Sequence, residues 1–431
     1  MPRKFRPQFE KLETRWCPAL LLGFDDVGDL VSIAEDSAGQ EAEVSLQVDA
    51  DGRLHVQEGA TDYGVHDVGV ALSVSLGQIV PGFSNRLELN DQTLNTDLSV
   101  SLGDQGASPG ATTFFVLGGT LGSEGEGTIN GGLNVQGGSG GQGFVFGETD
   151  PVPHVVNVTG FVHADMGLGG SGESSDFIGT GSPAAKLRTL DDMEVFRSAG
   201  VALSGSIGGD LFIRAGTKAV SQEIYLGNFG RPLGIGGNVF ILTGNLADVI
   251  ELENATIVGN LSIRTGNGAD QVRLGNIDPA NDPGDLDPRF TNAPSAVFGK
   301  VFADLGEGED LLEAGDVVSS ETARFTIGQT LEVYGGTGND TVNFNNLRVI
   351  GDTISVYTNE GNDRFFMYRV QAARARVLAL LGDGDDTFEV DAAAQLRMVA
   401  LTVNGRGGAD TKIEGNLADF TFPVNLFNFE L

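Results

Sequence analysis

Residues 335–343 read Gly-Gly-Thr-Gly-Asn-Asp-Thr-Val-Asn, a glycine-rich turn that ends on Asp340 and leads into an alternating strand. Looser copies of this turn recur through the second half of the chain, and each ends on an aspartate at the same place. The seven aspartates are Asp248, Asp270, Asp310, Asp340, Asp363, Asp386 and Asp410. Because they are 22, 40, 30, 23, 23 and 24 residues apart, the sequence indicates a repeat with a period near 23 residues and two longer steps.

Apolar residues keep a fixed register to these aspartates. Counted from each aspartate, the pairs at positions −9 and −7 and at +2 and +4 are apolar in copy after copy. Residues two apart on a strand share a face, and one coil cannot bury such pairs without stacked neighbours. The sequence therefore predicts an all-β fold, a parallel β-helix (β-solenoid) of about 23-residue coils. A third inward site is predicted at position −13, at Ile257, Ile327 and Ile350.

The pattern divides the chain into four parts. Residues 1–24 form a sorting-like segment, 25–195 a Gly-rich β region, 196–419 the parallel β-helix and 420–431 a C-terminal cap. The hexamer Leu-Ser-Val-Ser-Leu-Gly occurs at 72–77 and again 26 residues later. The Gly-rich region is thus either a set of degenerate coils or a separate β-domain. A short helix at 182–198 would mark the junction.

The last repeat breaks the pattern. Lys412 and Glu414 occupy the two positions that are apolar after the earlier aspartates. An irregular terminal coil is what capping an exposed sheet edge requires. We expect the Phe-rich tail, residues 420–431, to fold over that end.

Composition limits the possible partners. The chain has 431 residues, 64 of them glycine, a net charge of −33 and 40% apolar residues. Such acidity disfavours nucleic acid and anionic membranes, whereas the apolar content suffices for a core. No apolar run approaches the roughly 20 residues of a membrane span, and the one cysteine, Cys17, permits no intrachain disulfide. Divalent cations and an extracellular setting fit this balance better.

The first twenty residues contain a short basic motif. Phe9-Glu10, Leu12-Glu13 and Arg15, followed by Cys-Pro-Ala-Leu at 17–20, resemble the LEPR-XLL segment of large secreted or surface-associated bacterial proteins. The match departs at Thr14, where that motif has proline. The resemblance implies a secreted or cell-surface protein.

The turn at 335–343 fits the calcium-binding nonapeptide G-G-x-G-x-D-x-U-x. It thereby resembles the repeats of secreted RTX (haemolysin-type) proteins, and the resemblance implies calcium as the cofactor and the seven aspartates as its ligands. RTX rolls use tandem nine-residue units, whereas this chain has one such loop in each coil of about 23 residues.

Electrostatics offers separate support for a cation. Stacked coils would bring equivalent aspartates to about 4.8 Å along the axis, where two carboxylates repel by roughly 3–4 kcal/mol at an effective dielectric of 20. Calcium would relieve that repulsion, although Gly-Asp also closes ordinary turns. The insertion at 275–298 leaves the same two alternatives of a cation site and a solvated loop for Asp278, Asp282, Asp285 and Asp287.

These observations favour an extracellular or cell-surface structural or adhesive β-solenoid. Its expected partners are surface polysaccharide or other matrix components, not nucleic acid, and the sequence assigns it no catalytic residue and no oligomeric state. The alternative is a carbohydrate-active β-helix enzyme, since pectate-lyase-like and polygalacturonase-like folds place acids and a basic residue on one outer face. Arg214, Arg264, Arg273 and Asp304 are the residues that would suit it.

Overall fold

The computed structural model confirms the predicted β-solenoid. The structure describes residues 20–35, 43–77, 84–89, 93–103, 112–117, 125–137, 141–146, 154–166, 177–179, 205–215, 222–227, 233–276, 295–316, 325–390, 397–414 and 423–429. These residues form strands and turns that stack into three sheets. No helix long and apolar enough to cross a membrane occurs in this described part.

Strands are numbered here in chain order. The first sheet consists of β1 (Leu20–Phe24), β2 (Leu30–Glu35), β6 (Val68–Ser75), β9 (Asp97–Ser101), β12 (Leu133–Gln136), β15 (Val162–Asp165), β18 (Leu211–Arg214), β21 (Val239–Leu242), β24 (Leu261–Arg264), β27 (Val301–Asp304), β30 (Leu331–Thr337), β33 (Thr353–Glu360), β35 (Arg376–Leu380), β37 (Ala400–Asn404) and β39 (Val424–Phe427). The second sheet consists of β5 (Thr61–His66), β4 (Leu54–Glu58), β3 (Glu43–Val48), β7 (Ser84–Leu89), β10 (Thr112–Leu117), β13 (Gly141–Phe146), β16 (Phe177–Gly179), β19 (Glu223–Leu226), β22 (Val249–Leu252), β25 (Gln271–Asn276), β28 (Leu311–Asp316), β31 (Thr341–Asn345), β34 (Arg364–Tyr368), β36 (Thr387–Val390) and β38 (Thr411–Glu414). The third sheet consists of β8 (Thr93–Leu94), β11 (Gly125–Ile129), β14 (His154–Val158), β17 (Gly205–Ile207), β20 (Leu233–Ile235), β23 (Ala255–Ile257), β26 (Ala296–Val297), β29 (Thr326–Ile327) and β32 (Arg348–Val349).

The core lies inside the stack and is built from the predicted inward pairs. The −9 and −7 positions point inward from the first sheet, and the +2 and +4 positions do so from the second. All of them are buried: Val239, Ile241, Leu261, Ile263, Val301, Ala303, Leu331, Val333, Ile354, Val356, Val377, Ala379, Leu401 and Val403, and Ile250, Leu252, Val272, Leu274, Leu312, Ala314, Val342, Phe344, Phe365, Met367, Phe388 and Val390. Phe344, Phe365 and Phe388 form an internal aromatic row, with neighbouring ring centroids 5.3 and 5.6 Å apart.

The predicted inward site at position −13 is right for two residues and wrong for the third. Ile257 and Ile327 are buried in the third sheet, but Ile350 is 42% exposed and Val349 is buried in its place. Val349 pairs with Ile327 across the sheet. Counted from one inward residue to the next, the turn that connects this strand of the third sheet to the next strand of the first sheet has one more residue in this coil than in the preceding coils. A shift of one residue moves a side chain to the opposite face, so the count from Asp363 falls on the outer residue.

The corrected register predicts two different effects of substitution. We expect Val349→Ala to lower the unfolding free energy by about 1–3 kcal/mol, because it leaves a cavity in the core. Ile350→Ala should change it by less than about 0.5 kcal/mol. Urea unfolding of both variants checks this. A larger loss for Ile350→Ala would contradict the register.

The strands on both sides of residue 195 belong to the same sheets. β15 of the Gly-rich region pairs in parallel with β18, and the two copies of the repeated hexamer pair residue by residue, Leu72 with Leu98. At the N-terminal end the pairing changes direction, because β1 and β2, and β3, β4 and β5, are antiparallel. These antiparallel strands extend the first two sheets at this end, so that β1 and β5 are the edge strands. The boundaries at residues 24, 195 and 419 stay predictions.

The C-terminal tail extends the first sheet. Val424–Phe427 forms β39 and adds a parallel strand to β37 of the first sheet, and the cap assigned to residues 420–431 stays a prediction. Phe429 packs beside the core, its ring centroid 6.4 Å from that of Phe388. The predicted helix at 182–198, the LEPR-XLL-like segment before residue 20, most of the insertion and residues 415–422 lie outside the described residues.

Candidate functional site

The glycine-rich turns stack as closely as the strands. Gly336 and Gly338 have φ of +111° and +129°, a region that side chains rarely adopt. A Cβ on Gly338 would overlap the carbonyl oxygen of Gly308 in the coil before it. Asn359, which stands where other copies have glycine, also has a positive φ of 71°. The turn motif is therefore set by backbone conformation and by close stacking.

The seven predicted aspartates lie in one row, each just before a strand of the second sheet. The backbone N–H of each of the first six donates to the Oδ1 of the aspartate in the next coil. The six bonds, from Asp248 to Asp410, are 2.7 to 3.1 Å long. The N–H of Gln222 extends the row by donating to Asp248 Oδ1 at 2.8 Å. We call this row the aspartate ladder.

A second row of hydrogen bonds involves the residue just before each of the last four ladder aspartates, on the outside of the turn. Its bonds run in the opposite direction, because the backbone N–H of the later coil donates to the side chain of the earlier coil. Asn362 N–H donates to Asn339 Oδ1, Asp385 N–H to Asn362 Oδ1, and Ala409 N–H to Asp385 Oδ1, each at 2.8 Å. The two rows together bond each coil to both of its neighbours, so they hold the turns in register.

The aspartate ladder is buried. Its seven side chains are 0 to 2% exposed. Burial raises the pKa of Asp310, Asp340 and Asp386 to about 7 and that of Asp248 to about 6. It also raises the pKa of Asp270 and Asp363. The donated N–H bonds oppose this shift but do not outweigh desolvation, and for Asp310 and Asp386 charged neighbours in the ladder add to it.

The second carboxyl oxygen, Oδ2, distinguishes the ladder aspartates from ordinary turn aspartates. Oδ2 of Asp270, Asp310, Asp340, Asp363 and Asp386 is buried and accepts no hydrogen bond. Hydroxyl groups of Thr265 and Thr358 lower the pKa of Asp270 and Asp363, yet each donates its proton to a carbonyl of the next coil at 2.6 Å. A buried ionised oxygen without a donor is costly. The ladder thus requires protons or cations on its Oδ2 atoms.

The donor chemistry of the ladder suits calcium. Calcium takes six to eight oxygens from carboxylates, backbone carbonyls and water, and the coils of Asp270, Asp310, Asp340, Asp363 and Asp386 each offer one buried Oδ2 that accepts no hydrogen bond. Among the described residues no three Asp, Glu, His or Cys side chains form a group that could hold a metal. Backbone carbonyls and water would therefore have to complete any ion's shell.

The exposed acids of the turns lie elsewhere. Five exposed acids lie one or three residues before a ladder aspartate: Glu307, Glu309, Glu360, Asp383 and Asp385. The acidic surface of the solenoid therefore comes from these neighbours and not from the aspartates that mark the repeat.

The basic residues considered for catalysis lie on two different sheets. Arg273, on the second sheet, contacts Glu251 at 2.6 Å and Glu313 at 3.4 Å. Arg214, on the first sheet, lies 3.6 Å from Asp165. Arg264, on the first sheet, pairs in register with Asp304 and lies over the ring of Phe302, 5.7 Å from its centroid.

Two features were missed in the sequence. One is a ladder at another corner, where Asn238 N–H donates to Asp210, Asn260 N–H to Asn238 and Lys300 N–H to Asn260, at 2.6, 3.0 and 2.8 Å. The other is a row of outward aromatic rings on the first sheet. The sequence contained a signal for each feature. For the ladder it was the Gly-Asp and Gly-Asn pairs at 209–210, 237–238 and 259–260, and for the rings it was the aromatic residues between the inward positions.

Comparison with known proteins yields a resemblance of architecture. No family model matches the sequence, and no curated protein matches it. A solved structure that it resembles is a hyperactive, Ca2+-dependent, β-helical antifreeze protein from an Antarctic bacterium, with 16% identity over 82% of this chain and 87% of that chain and a TM-score of 0.36. The likeness is one of fold. The chain is a parallel β-solenoid with an internal aspartate ladder.

Proposed function

We propose that this protein is an extracellular or cell-surface structural β-solenoid whose turns bind calcium. The observation that carries the proposal is the buried row of Oδ2 atoms without hydrogen-bond donors. At neutral pH these carboxylates would repel one another inside the protein. Calcium would supply the compensating charge.

In this proposal the ladder aspartates and the turn carbonyls hold the ions. Asp270, Asp310, Asp340, Asp363 and Asp386 would each contribute Oδ2, because their Oδ1 atoms already accept backbone N–H groups. Binding would stiffen the stack without any change of strand pairing. The match of residues 335–343 to the RTX nonapeptide supports the same ion.

The role of the stiffened rod would be display or adhesion at a cell surface. The LEPR-XLL-like segment supports export. The exposed acids and the net charge of −33 would keep such a rod soluble. Surface polysaccharide or other matrix components are the partners we propose.

Removal of calcium should destabilise the protein. At pH 8 we expect exhaustive chelation to lower the melting temperature by at least about 5 °C, because several ions would bind the folded state and not the unfolded state. Differential scanning calorimetry with chelator, followed by calcium addition, measures the effect. Magnesium is the control, since it demands a smaller octahedral shell. A melting temperature that chelation leaves unchanged would rule out the calcium role.

A further inference from the structure

The first sheet carries aromatic rings on its outer face, where the core does not need them. Phe212 and Phe240 are 38% and 40% exposed, and Phe302, Tyr334 and Tyr357 are half-buried on the same face. Contiguous exposed apolar surface rimmed by polar groups marks interaction sites in soluble proteins. We call these five rings, together with Arg264, the outer aromatic face.

The rings follow the strand register in two groups. Phe212 pairs with Phe240, and their centroids are 6.3 Å apart with planes at 41°. One coil later Ser262 leaves a gap between Phe240 and Phe302. Beyond the gap, Phe302 and Tyr334 are 5.7 Å apart at 47°. Neither pair is stacked face to face, so neighbouring rings do not cover each other completely.

Hydrogen-bond donors and hydrogen-bond acceptors both lie among the rings. Tyr334 and Tyr357 stack at 4.9 Å, and the Tyr334 hydroxyl donates to Glu332 Oε1 at 2.6 Å. Arg264 lies over Phe302, next in register to Asp304. The face therefore alternates apolar rings with a guanidinium donor and carboxylate acceptors. Pyranose sugars need this mixture, because their C–H bonds pack on electron-rich rings while their hydroxyls both donate and accept.

Charge narrows the choice of ligand. A net charge of −33 repels anionic polymers and also a second copy of this chain. A neutral polymer meets no such barrier. Successive strands place the ring-bearing positions about 4.8 Å apart, with a gap at Ser262, and this strand spacing is close to the advance per sugar of an extended β-linked glycan.

We propose that the outer aromatic face binds a neutral, linear, β-linked polysaccharide that lies along the solenoid axis. This inference rests on the proposed surface role, but it uses neither the aspartate ladder nor calcium. Cross-strand ring pairs also stabilise sheets by roughly 0.2–1 kcal/mol each, so the test must separate binding from stability.

The test is co-sedimentation of the full chain with cellulose and with chitin, followed by calorimetric titration of cellohexaose and chitohexaose. We expect wild type to bind at least one of these neutral glycans, and the double variant Phe240→Ala with Phe302→Ala to bind it about tenfold more weakly. Val258→Ala with Ile350→Ala is the matched control, because both residues are exposed apolar side chains, at 56% and 42%, off this face. Sedimentation velocity and thermal melting accompany each variant.

Each outcome decides the inference. Tenfold weaker binding of the ring variant alone, with a melting temperature close to wild type, supports it. Equal binding by wild type and ring variant overturns this face as the site, while calcium-dependent melting would leave the proposed scaffold intact. Binding of neither glycan, or a dimer that the ring substitutions dissociate, also overturns it.

Discussion

In the presence of chelator, the unfolding free energy of this protein is expected to fall as the pH rises from about 4 to about 7. Burial raises the pKa of Asp310, Asp340 and Asp386 to about 7, whereas an unfolded aspartate titrates near 3.9. The folded state therefore binds more protons than the unfolded state in this window. The resulting stability is complete below about pH 4 and lost by about pH 7.

The expected size of this loss is large. A pKa difference of about three units corresponds to roughly 4 kcal/mol for each of these carboxyls, as an order of magnitude and before the ladder relaxes. Urea unfolding between pH 4 and pH 8 measures it. Calcium should restore stability at pH 8 and have little effect at pH 4, where protons occupy the carboxyls. Stability that rises with pH in chelator would contradict the ladder's electrostatics.

One ladder residue isolates the effect. Asp340→Asn keeps the oxygen that accepts from Asp310 N–H and removes one buried charge. We expect the loss of stability between pH 4 and pH 8 to shrink by roughly 4 kcal/mol in this variant. Glu307→Gln is the matched control, since Glu307 is exposed in the preceding coil's turn, and it should differ from wild type by less than about 0.5 kcal/mol at both pH values. Equal pH dependence in wild type and Asp340→Asn would refute the assignment.

The second large effect is expected from the turn backbone. Gly338→Ala should lower the unfolding free energy by about 3 kcal/mol or more, because a side chain at φ +129° is strained and its Cβ overlaps the Gly308 carbonyl. The displacement of the turn by this Cβ would also disturb the hydrogen bond from Gly338 N–H to the Glu360 carbonyl, which is 2.8 Å long.

The denaturant midpoint and amide hydrogen exchange of the turns test this prediction. Thr337→Ala is the control in the same turn, where the side chain is exposed, and it should change stability by less than about 0.5 kcal/mol. If Gly338→Ala unfolds at the wild-type midpoint, close stacking of the turns is wrong.

Hydrophobic periodicity alone was enough to predict the core. Pairs such as Leu331 and Val333 follow from alternation, since side chains two apart must share a face. The same count failed at Ile350, because a corner can gain a residue without any change in the composition that surrounds it. Corner length is set by how the turn packs on the coil before it, and a single sequence does not contain that information.

The site was predicted in part. The repeat located all seven aspartates, but it did not indicate that they point inward or that Oδ1 accepts from the neighbouring coil. Those facts depend on three-dimensional stacking. One signal was available: the residue five positions before each aspartate is Thr, Leu or Gly, and such residues leave the inside of the turn without a competing charge. The outer rings were missed because only inward positions were counted.

Anomalous diffraction from crystals grown at pH 8 with calcium would show whether calcium ions occupy the aspartate ladder. We expect a row of calcium peaks beside the Oδ2 atoms of Asp270, Asp310, Asp340, Asp363 and Asp386. In crystals of the Asp340→Asn variant, the peaks nearest residue 340 should be missing. Oδ2 atoms that contact only water or protein in such crystals, with no anomalous signal along the ladder, would contradict calcium binding by the ladder.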